Sequence, residues 1–597
     1  MLGLPVLLQK ADLLHGFDLV WRDAVKVHLA QAGVKGKLWL YTDSSLQVER
    51  LRVRVGALVG EMASLTGFGV GQGGRAGVDL FSAMVRPLQD MCAERAIGVG
   101  VDVPGMVADA YCRIRDDQLG FSRDEGHAAA AFIRLHGTSS AEATLSAIRG
   151  NDTRLACLDL LAPHRFLHLQ FVDDTFNMIS SVAELREVNG ALSDYCELWR
   201  HRFQGGAKRP TVLAIGSTLQ ANLDAGTICG EAPSFVDCMD VLGIPLDRGL
   251  TMQPLLDRLC SKMENGAREL CNNITALGFG LPYLCAQFPS RVESSALFGC
   301  ELLASYAGDW AVVARKLNDL QYRAAKILLG VRVHDSWGPG GHVRALCETR
   351  FFRRLSSKVA LRIILSRARL LALPTHNPVG SIVSAALGRT GPSWLDHARV
   401  LTAKFAVYPD FLEFYPLDDL QRNDPSTRRK AVSTWKHKVV LPRIKQIDEE
   451  WFQAQLDALP ADGFLSYVGV APSRVPFSPG LVWAPWGPTT WRFFRAWCVA
   501  RATSCLPLPL WECGRLVSSL PVCPLCGGLD ADLVHILAIC PNTRRFRTWE
   551  DNDSPPAVSL WVLRGSGDPQ LLHSMVSQLG LSMAAVADAM ARPHIFP

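Results

Sequence analysis

The spacing of apolar positions along the first third of the chain predicts short strands that alternate with helices. Val6 to Leu8 is a brief apolar run typical of a strand, and an amphipathic pattern over 19–32 predicts a helix that ends at Gly33. The stretch LQVERLRVRVGALVG at 46–60 alternates, which predicts a strand, a turn and a second strand. A glycine-rich turn at 67–77 then leads into an apolar helix from about residue 78.

Helical periodicity dominates from about residue 219 to residue 331, as in LLDRLCSKMENGARELCNNI and WAVVARKLNDLQYRAAKILLG. The glycine-rich run at 338–341 predicts a boundary, and the Pro/Gly-rich stretches at 374–392 and 472–488 predict loops. No uninterrupted apolar run reaches the ~18 residues that a membrane-spanning helix needs. The nearest candidate, 274–288, is broken by two glycines and a proline. The pattern therefore predicts an α+β protein with no membrane partner.

Composition narrows the class of protein without naming a function. Apolar residues make up 48% and charged residues 20%, which indicates a globular rather than a disordered chain. The net charge of +5 is compatible with nucleic-acid binding but does not argue for it, because affinity for phosphate depends on where the charged side chains cluster. The N-terminus lacks the features of a secretory signal. We therefore expect a nuclear or cytoplasmic protein in which most of the 17 cysteines are reduced.

Two adjacent acids, Asp173 and Asp174, lie between apolar stretches that begin at Phe166 and end at Ile179. This pattern predicts a β-hairpin with two carboxylates at its tip. Neighbouring carboxylates repel each other, so a fold that holds them together usually supplies a cation. Carboxylate oxygens suit Mg²⁺, and paired Mg²⁺ ions serve in-line displacement at phosphorus. The alternative is a pair of solvated turn residues.

Two further features of the first third could take part in such a site. Asp12 follows the predicted first strand, although it or Asp18 could instead cap the helix that follows. The turn GFGVGQGGRAG would let backbone approach a ligand closely, and Gln72 could hydrogen-bond a base or sugar. It lacks the Lys-Ser/Thr of a Walker loop, so it is a weak phosphate-binding signal on its own.

The order of these pieces resembles the palm of reverse transcriptases from non-LTR retrotransposons. Five segments carry the resemblance, and they are the Asp12–Trp21 motif, Gly69–Gly73, Phe171–Asp174, the amphipathic stretch ELREVNGALSDYCELWRHRF, and Val241–Thr251. The fold implied is a right-hand polymerase. Its palm would occupy 1–215 with fingers largely missing, its helical thumb 216–335, a helical, basic connector 336–500 and a zinc-knuckle region 501–597.

The resemblance implies template-directed addition of deoxynucleotides to a primer 3′-hydroxyl, with RNA template, DNA primer and dNTPs as partners. Asp12, Asp173 and Asp174 would hold two Mg²⁺ ions. Phe17 would lie under the sugar and exclude a 2′-hydroxyl, or else be an ordinary core residue. Gln72 and Gly73 would contact the incoming nucleotide or the template. Lys208 would protonate the leaving pyrophosphate, or else be a solvated surface lysine.

The chain also departs from the family pattern. Gly74 to Val78 replaces Ser-Pro-Leu-Ser-Pro, and a long polar stretch separates the second and third motifs. Asp12 is preceded by only eleven residues, which leaves no room for the fingers that grip the triphosphate. An alternative is therefore a catalytically inactive, truncated remnant that only binds nucleic acid.

Basic runs with interleaved aromatics occur at 350–354, 428–438 and 491–495. Such mixtures can neutralise phosphates and stack on bases. Amphipathic helices with a buried aromatic face and a solvated basic face have the same sequence pattern, so both interpretations stay open here.

The sharpest metal signal lies near the C-terminus. Cys523-x2-Cys526-x8-His535-x4-Cys540 has the ligands and spacing of a compact tetrahedral Zn²⁺ site, and four protein ligands predict a structural rather than a catalytic ion. The cluster also resembles the zinc knuckle of the same retrotransposon proteins. The alternatives are scattered core residues, or a ligand set that includes Cys505 or Cys513.

Overall fold

The computed structural model describes most of residues 6–101 and 164–458, with short gaps, and parts of 498–542. These residues belong to two compact units. The first comprises Met1–Pro254 and Leu373–Leu395, and the second comprises Leu255–Ala372 and Asp396–Pro597.

A five-stranded sheet forms the centre of the first unit, in the order β6-β7-β1-β8-β9. The central strand β1 is antiparallel to both neighbours, and β9 runs parallel to β8. Separate two-stranded pairs are formed by β2 with β3, β4 with β5, and β10 with β11. The strands are β1 (Val6–Asp12), β2 (Arg50–Val55), β3 (Leu58–Ser64), β4 (Val99–Val101), β5 (His164–Phe166), β6 (His168–Phe171), β7 (Asp174–Ile179), β8 (Thr211–Ile215), β9 (Ser234–Val236), β10 (Cys238–Val241) and β11 (Ile244–Asp247).

The two faces of β1 differ because side chains alternate along a strand. Leu7 and Ala11 are buried in the larger core, together with residues of four helices, namely α1 (Arg22–Gln31), α2 (Gly36–Leu46), α3 (Arg75–Arg95) and α4 (Val182–Trp199). Leu8 lies on the opposite face in a smaller core with Phe176, Leu213 and Met239. The same face continues through the half-buried Lys10 and Asp12 to the end of the strand.

Helix α4 follows the β6–β7 hairpin and has well-defined ends. Ser181 caps its first turn by accepting a hydrogen bond from the Glu184 N–H at 3.2 Å. At the other end Arg200 adopts a left-handed backbone conformation with φ 56°, which stops the helix. The chain after Arg200 is therefore turned back toward the end of β1, where it forms the contacts described below.

The described part of the second unit is mostly helical. Helix α7 shows why, since Trp310, Val313, Leu317, Leu320 and Ala324 recur at helical spacing and are all buried. Its described α-helices of four or more residues are α5 (Gln253–Ala276), α6 (Leu281–Phe288), α7 (Trp310–Leu328), α8 (Gly341–Glu348), α9 (Leu355–Leu371), α10 (Trp394–Lys404), α11 (Phe411–Phe414), α12 (Pro425–Trp435) and α13 (Leu441–Asp457). Near the C-terminus β12 (Leu506–Leu508) pairs with β13 (Arg515–Val517), and β14 (Leu520–Val522) pairs with β15 (Leu529–Ala531).

The predicted α+β class is confirmed, with mostly helical elements and a small sheet. The predicted helix at 19–32 is α1, and the predicted strand-turn-strand at 46–60 is the β2–β3 pair. The division into four domains stays a prediction. Among the described residues, no helix combines the length and apolar character needed to cross a bilayer.

Candidate functional site

Strand pairing brings Asp12 and Asp174 together. In the antiparallel register of β1 and β7, Asp12 lies directly opposite Asp174, and residues in such a pair have neighbouring side chains. The β6–β7 hairpin pairs Phe171 with Asp174, so Asp174 is the first residue of strand β7 rather than a residue of the hairpin tip, where the sequence predicted it. The interpretation of Asp12 as a helix cap is wrong, because α1 begins at Arg22 after Trp21 and Asp12 ends β1.

Lys10 lies between the two carboxylates. It precedes Asp12 by two positions on the same face of β1, and its Nζ is 3.6 Å from Asp12 Oδ1 and 3.3 Å from Asp174 Oδ1. Burial alone would lower the pKa of Lys10, but the two carboxylates outweigh it and hold that pKa above its usual value. Lys10 therefore carries a positive charge against the acidic pair.

Asp12 is the member of the pair whose negative charge is disfavoured by its surroundings. Burial raises its pKa to about 6, with a further contribution from Asp174 and an opposing one from Lys10. Its Oδ1 is buried and has no hydrogen-bond partner within the described part of the chain. The nearest cation to this oxygen is Lys10 Nζ at 3.6 Å, which is beyond hydrogen-bond distance. A buried carboxylate oxygen beside a second carboxylate is a fitting ligand for a hard divalent cation. Asp12 and Asp174 could therefore hold Mg²⁺.

A buried polar network holds the register that pairs the two acids. Gln9 donates to Asn189 Oδ1 of α4 at 2.6 Å and accepts from Asn177 Nδ2 of β7 at 2.9 Å. Asn177 is also 2.7 Å from His168 of β6, and Asn189 donates to the Ala225 carbonyl. A slip of one residue would leave these buried groups unpaired, at a cost of roughly 1–3 kcal/mol for each. The network therefore fixes Asp12 opposite Asp174.

The backbone of Asp12 is tied to the segment after α4. The Asp12 carbonyl accepts from the Gln204 N–H at 2.9 Å, and the Leu14 N–H donates to the Arg202 carbonyl at 2.7 Å. This segment leads through a short 3₁₀ turn, Gly206–Lys208, into β8. Lys208 is exposed at the end of that turn, and its role stays a prediction.

Four of the predicted site residues lie outside the described residues, namely Asp173, Phe17, Gln72 and Gly73. Sequence reasoning missed Lys10 and Gln9. The sequence signal for them was the polar pair Gln9-Lys10 inside an apolar strand. Successive side chains of a strand point to opposite faces of the sheet, so each of these two polar residues needs polar partners on its own face.

His201 is a buried titratable group beside this site. Its ring stacks on Tyr195, with centroids 5.7 Å apart, and neither ring nitrogen has a hydrogen-bond partner among the described residues. Burial lowers the pKa of His201 to about 4. The imidazole is therefore neutral at physiological pH and packs as an aromatic ring.

We expect His201 to make the first unit less stable in mild acid. His201 takes up a proton near pH 6.5 in the unfolded chain and near pH 4 in the folded chain. Above pH 6.5 this histidine therefore does not reduce the free energy of unfolding. The free energy of unfolding then falls by about 3 kcal/mol as the pH drops to 4. Hydrogen exchange of the β1 amides, compared between His201→Phe and wild type at each pH, tests this. The variant should match wild type at pH 7 and exceed its protection at pH 5.

Comparing the two proteins at the same pH removes the intrinsic pH dependence of exchange. His437→Phe, an exposed histidine in the second unit, is the matched control and should change nothing in β1. If the β1 amides of His201→Phe lose protection between pH 7 and pH 5 as steeply as those of wild type, burial of His201 is not the cause of the loss of stability in acid.

The second candidate site is the cluster of Cys523, Cys526, His535 and Cys540. Their ligand atoms all lie within 4.8 Å of one another. The sulfurs of Cys523 and Cys540 are 3.8 Å apart, close to the ~3.8 Å edge of a tetrahedron built on Zn–S bonds of ~2.3 Å. Cys526 Sγ is 3.2 Å from His535 Nε2. The donor set and its spacing therefore fit one zinc ion, as the sequence predicted.

The backbone around the cluster shapes it. The Cys523 N–H donates to the Gly528 carbonyl at 2.7 Å, and the Cys540 N–H donates to the His535 carbonyl at 2.6 Å. A Cβ on Gly528 would come within 3.0 Å of the His535 ring, so only glycine fits there without a shift. Burial raises the pKa of Cys523 to about 11, whereas the pKa of Cys526 is lowered because hydrogen bonds, led by the Gly528 N–H, outweigh burial. Cys505 and Cys513 lie outside the described residues.

The described basic-aromatic runs have buried aromatic members. Trp435 is fully buried, Phe351 stacks on Phe288 with centroids 5.1 Å apart, and Arg354 pairs with Asp448. Residues 491–495 lie outside the described part of the chain. The amphipathic interpretation accounts for the buried rings, and contact of the basic faces with nucleic acid stays a prediction.

No protein-family model matches this chain, and no curated protein matches it.

Proposed function

We propose that this chain is an RNA-directed DNA polymerase of the non-LTR retrotransposon type. The observation that carries the proposal is the cross-strand pair of Asp12 and Asp174, at the ends of a central strand and of its neighbouring hairpin. Its support is the ordered resemblance of five sequence segments to the palm of those enzymes. The buried Oδ1 of Asp12, which lies beside Asp174 and 3.6 Å from Lys10 Nζ, adds a second line of support, since such an oxygen suits a divalent cation.

The proposed reaction joins the primer 3′-oxygen to the α-phosphorus of a deoxynucleoside triphosphate and releases pyrophosphate. Asp12, Asp173 and Asp174 would hold the cations, the proton of the attacking hydroxyl would pass to solvent water, and Lys208 would give a proton to the leaving pyrophosphate. When bound, Mg²⁺ would supply Lewis acidity for the displacement at phosphorus. Phe17 selects against a 2′-hydroxyl, and Gln72 and Gly73 contact the nucleotide or template.

Lys10 has a role that follows from its place between the acids. Its ammonium balances the repulsion of Asp12 and Asp174 and so keeps both side chains on one face of the sheet. We infer that Lys10 positions the carboxylates and contacts no substrate.

Primer extension tests the proposal directly. The full chain, a DNA primer on an RNA template, dNTPs and Mg²⁺ should give extended primer, and Asp173→Asn should give none. The physical reason is that the acidic cluster must carry enough negative charge to hold two divalent cations. Omitting Mg²⁺ should stop the reaction in wild type.

Two other outcomes are informative. Extension by both proteins at the same rate would show that the activity does not depend on Asp173 and would overturn its place in the catalytic site. No extension by either, with primer–template binding retained, would favour the alternative function of nucleic-acid binding alone.

We propose in addition that the cluster Cys523, Cys526, His535 and Cys540 binds one structural Zn²⁺ in a knuckle. The geometric fit of its four ligand atoms supports this. With four protein ligands no coordination position is left for a substrate, so the ion would serve the local fold.

A further inference from the structure

The first unit contains a pair of thiols that the proposed polymerase reaction does not use. Cys196 is buried in the last turn of α4, whereas Cys229 is exposed in the segment between β8 and β9. Both are thiols rather than members of a disulfide. Their side chains hydrogen-bond to each other, although they belong to different elements of the chain.

Hydrogen bonds hold the segment that carries Cys229 along α4. Asn189 Nδ2 donates to the Ala225 carbonyl at 2.7 Å, and one helical turn later Ser193 Oγ accepts from the Cys229 N–H at 3.0 Å. Cys196 follows Ser193 by three positions, so both side chains lie on the same face of the helix. The backbone contacts therefore bring Cys229 beside Cys196.

A tight turn fixes the position of Cys229. Ile228 and Glu231 exchange both of their backbone hydrogen bonds, at 2.9 and 3.0 Å, and the two residues between them, Cys229 and Gly230, have φ of 50° and 86°. Two consecutive positive φ values are typical of the type I′ hairpin turn. Because this turn is closed by its own hydrogen bonds and its Cys229 N–H is held by α4, it keeps the Cys229 side chain next to the helix.

The two thiols differ in how well an oxidant can reach them. Cys229 is exposed, whereas only 5% of Cys196 is exposed. Burial raises the pKa of Cys196, and the Cys229 thiol adds to this shift, so Cys196 stays protonated at neutral pH. The thiolate is the form of cysteine that peroxides oxidise, and exposure decides which cysteine reacts. Cys229 is therefore the thiol that reacts first, with Cys196 beside it as a partner.

We propose that Cys196 and Cys229 form a reversible disulfide when the protein meets hydrogen peroxide, and that this bond fastens the turn at 228–231 to α4. The Cys229 thiolate attacks one peroxide oxygen, the O–O bond breaks, and the released hydroxide takes up a proton and becomes water. This step leaves a sulfenic acid on Cys229.

The second step closes the disulfide. The Cys196 thiol attacks the Cys229 sulfur, the S–S bond forms and the S–O bond breaks. The departing hydroxide takes the Cys196 proton and leaves as a second water. The two thiols together lose two electrons and two protons, and one peroxide is reduced to two waters.

The bond would strengthen a connection that the fold already makes. Asn189 of α4 binds both the Ala225 carbonyl of this segment and Gln9 of β1. The sulfurs of a disulfide are about 2.05 Å apart, and thiols that already hydrogen-bond need only a short shift to reach that distance. In a reducing compartment such a bond is transient, which suits a response to oxidant rather than a permanent cross-link.

Peptide mapping after peroxide treatment tests the proposal. The full chain is treated with hydrogen peroxide, blocked with iodoacetamide and digested without reductant by a protease that cuts after glutamate, which separates Cys229 from Cys238 at Glu231. Mass spectrometry should find Cys196 joined to Cys229, and dithiothreitol should return both to thiols. The Ile228 and Glu231 amides should exchange at least about tenfold more slowly in the oxidised protein, because the cross-link restricts opening of the turn.

Three variants test the order of the two steps. Cys196→Ala should stop the reaction at the Cys229 sulfenic acid, which dimedone should label at least about tenfold more than in wild type. Cys229→Ser should give no label at the buried Cys196. Cys238→Ser, the matched control at another exposed cysteine of the same unit, should form the disulfide as wild type does.

The proposal is overturned if peroxide leaves Cys196 and Cys229 of wild type without a bond between them, or if dimedone labels wild type as strongly as Cys196→Ala. A disulfide from Cys229 to Cys238 would also overturn it, because Cys196 would then not be the partner. These measurements need neither primer nor nucleotide, so their outcome is independent of the proposed polymerase.

Discussion

Replacing Asp12 by asparagine should lower Mg²⁺-dependent primer extension by at least about 10³-fold, which corresponds to roughly 4 kcal/mol of transition-state stabilisation. The reason is that the amide keeps the size of the side chain but removes the negative charge from the buried Oδ1 position beside Asp174. Single-turnover extension over a range of Mg²⁺ concentrations measures the loss. Raising Mg²⁺ should recover only part of the rate.

The same substitution should leave the fold intact or make it slightly more stable. Burial raises the pKa of Asp12 to about 6, so at neutral pH the folded protein holds a charge that its surroundings disfavour. A neutral amide relieves that cost, and thermal unfolding of the variant should be no lower than that of wild type. Loss of activity with retained stability is the expected mark of a functional rather than a structural residue.

Asp237→Asn is the matched control for Asp12→Asn. It makes the same chemical change in the same unit, but the Asp237 side chain is 90% exposed and pairs with Arg248 on the surface. It should extend primers at the wild-type rate. Extension by Asp12→Asn within tenfold of wild type would remove the basis for placing Asp12 in a catalytic metal site.

The sequence predicted individual elements of this site well because local pattern determines them. The run Val6 to Leu8 signals a strand, and the apolar stretches around Asp173 and Asp174 signal a hairpin. Strand order and register are not local properties. Asp12 and Asp174 are 162 positions apart in the chain, and only the pairing of β1 with β7 shows that they are opposite.

The sequence did not predict the residues that hold the site in place, because their partners are also distant along the chain. Gln9 is an ordinary polar position until its partners Asn177 and Asn189 are known, and both are more than 160 residues away. The second unit shows the same limit, since Asp448 meets Arg354 and Ser357 from a distant part of the chain. By contrast the four zinc ligands fall within 18 residues, so their spacing alone predicted the cluster.

Replacing Cys523 by serine should abolish zinc binding, and wild type should carry about one Zn²⁺ per chain. The flanking hairpin of β14 and β15 has only three residues in each strand, and an isolated hairpin of that size is at best marginally stable. A structural zinc site contributes roughly 10–16 kcal/mol of apparent binding free energy in small knuckles, so the ion would supply most of the local stability. Metal analysis of freshly purified protein measures the stoichiometry.

Two amides report the local fold independently of the metal count. The N–H groups of Cys523 and Cys540 donate to carbonyls inside the knuckle, and they should be protected from hydrogen exchange in wild type and exchange freely in Cys523→Ser. Cys238→Ser, at an exposed cysteine of the first unit, should keep both the zinc and the protection. A wild-type protein purified without zinc, or a Cys523→Ser protein that retains it, would show that these four side chains do not form a metal site. Because the proposed primer extension would depend on Asp12 and Asp174 rather than on the knuckle ligands, the zinc result stands whether or not the chain is a polymerase.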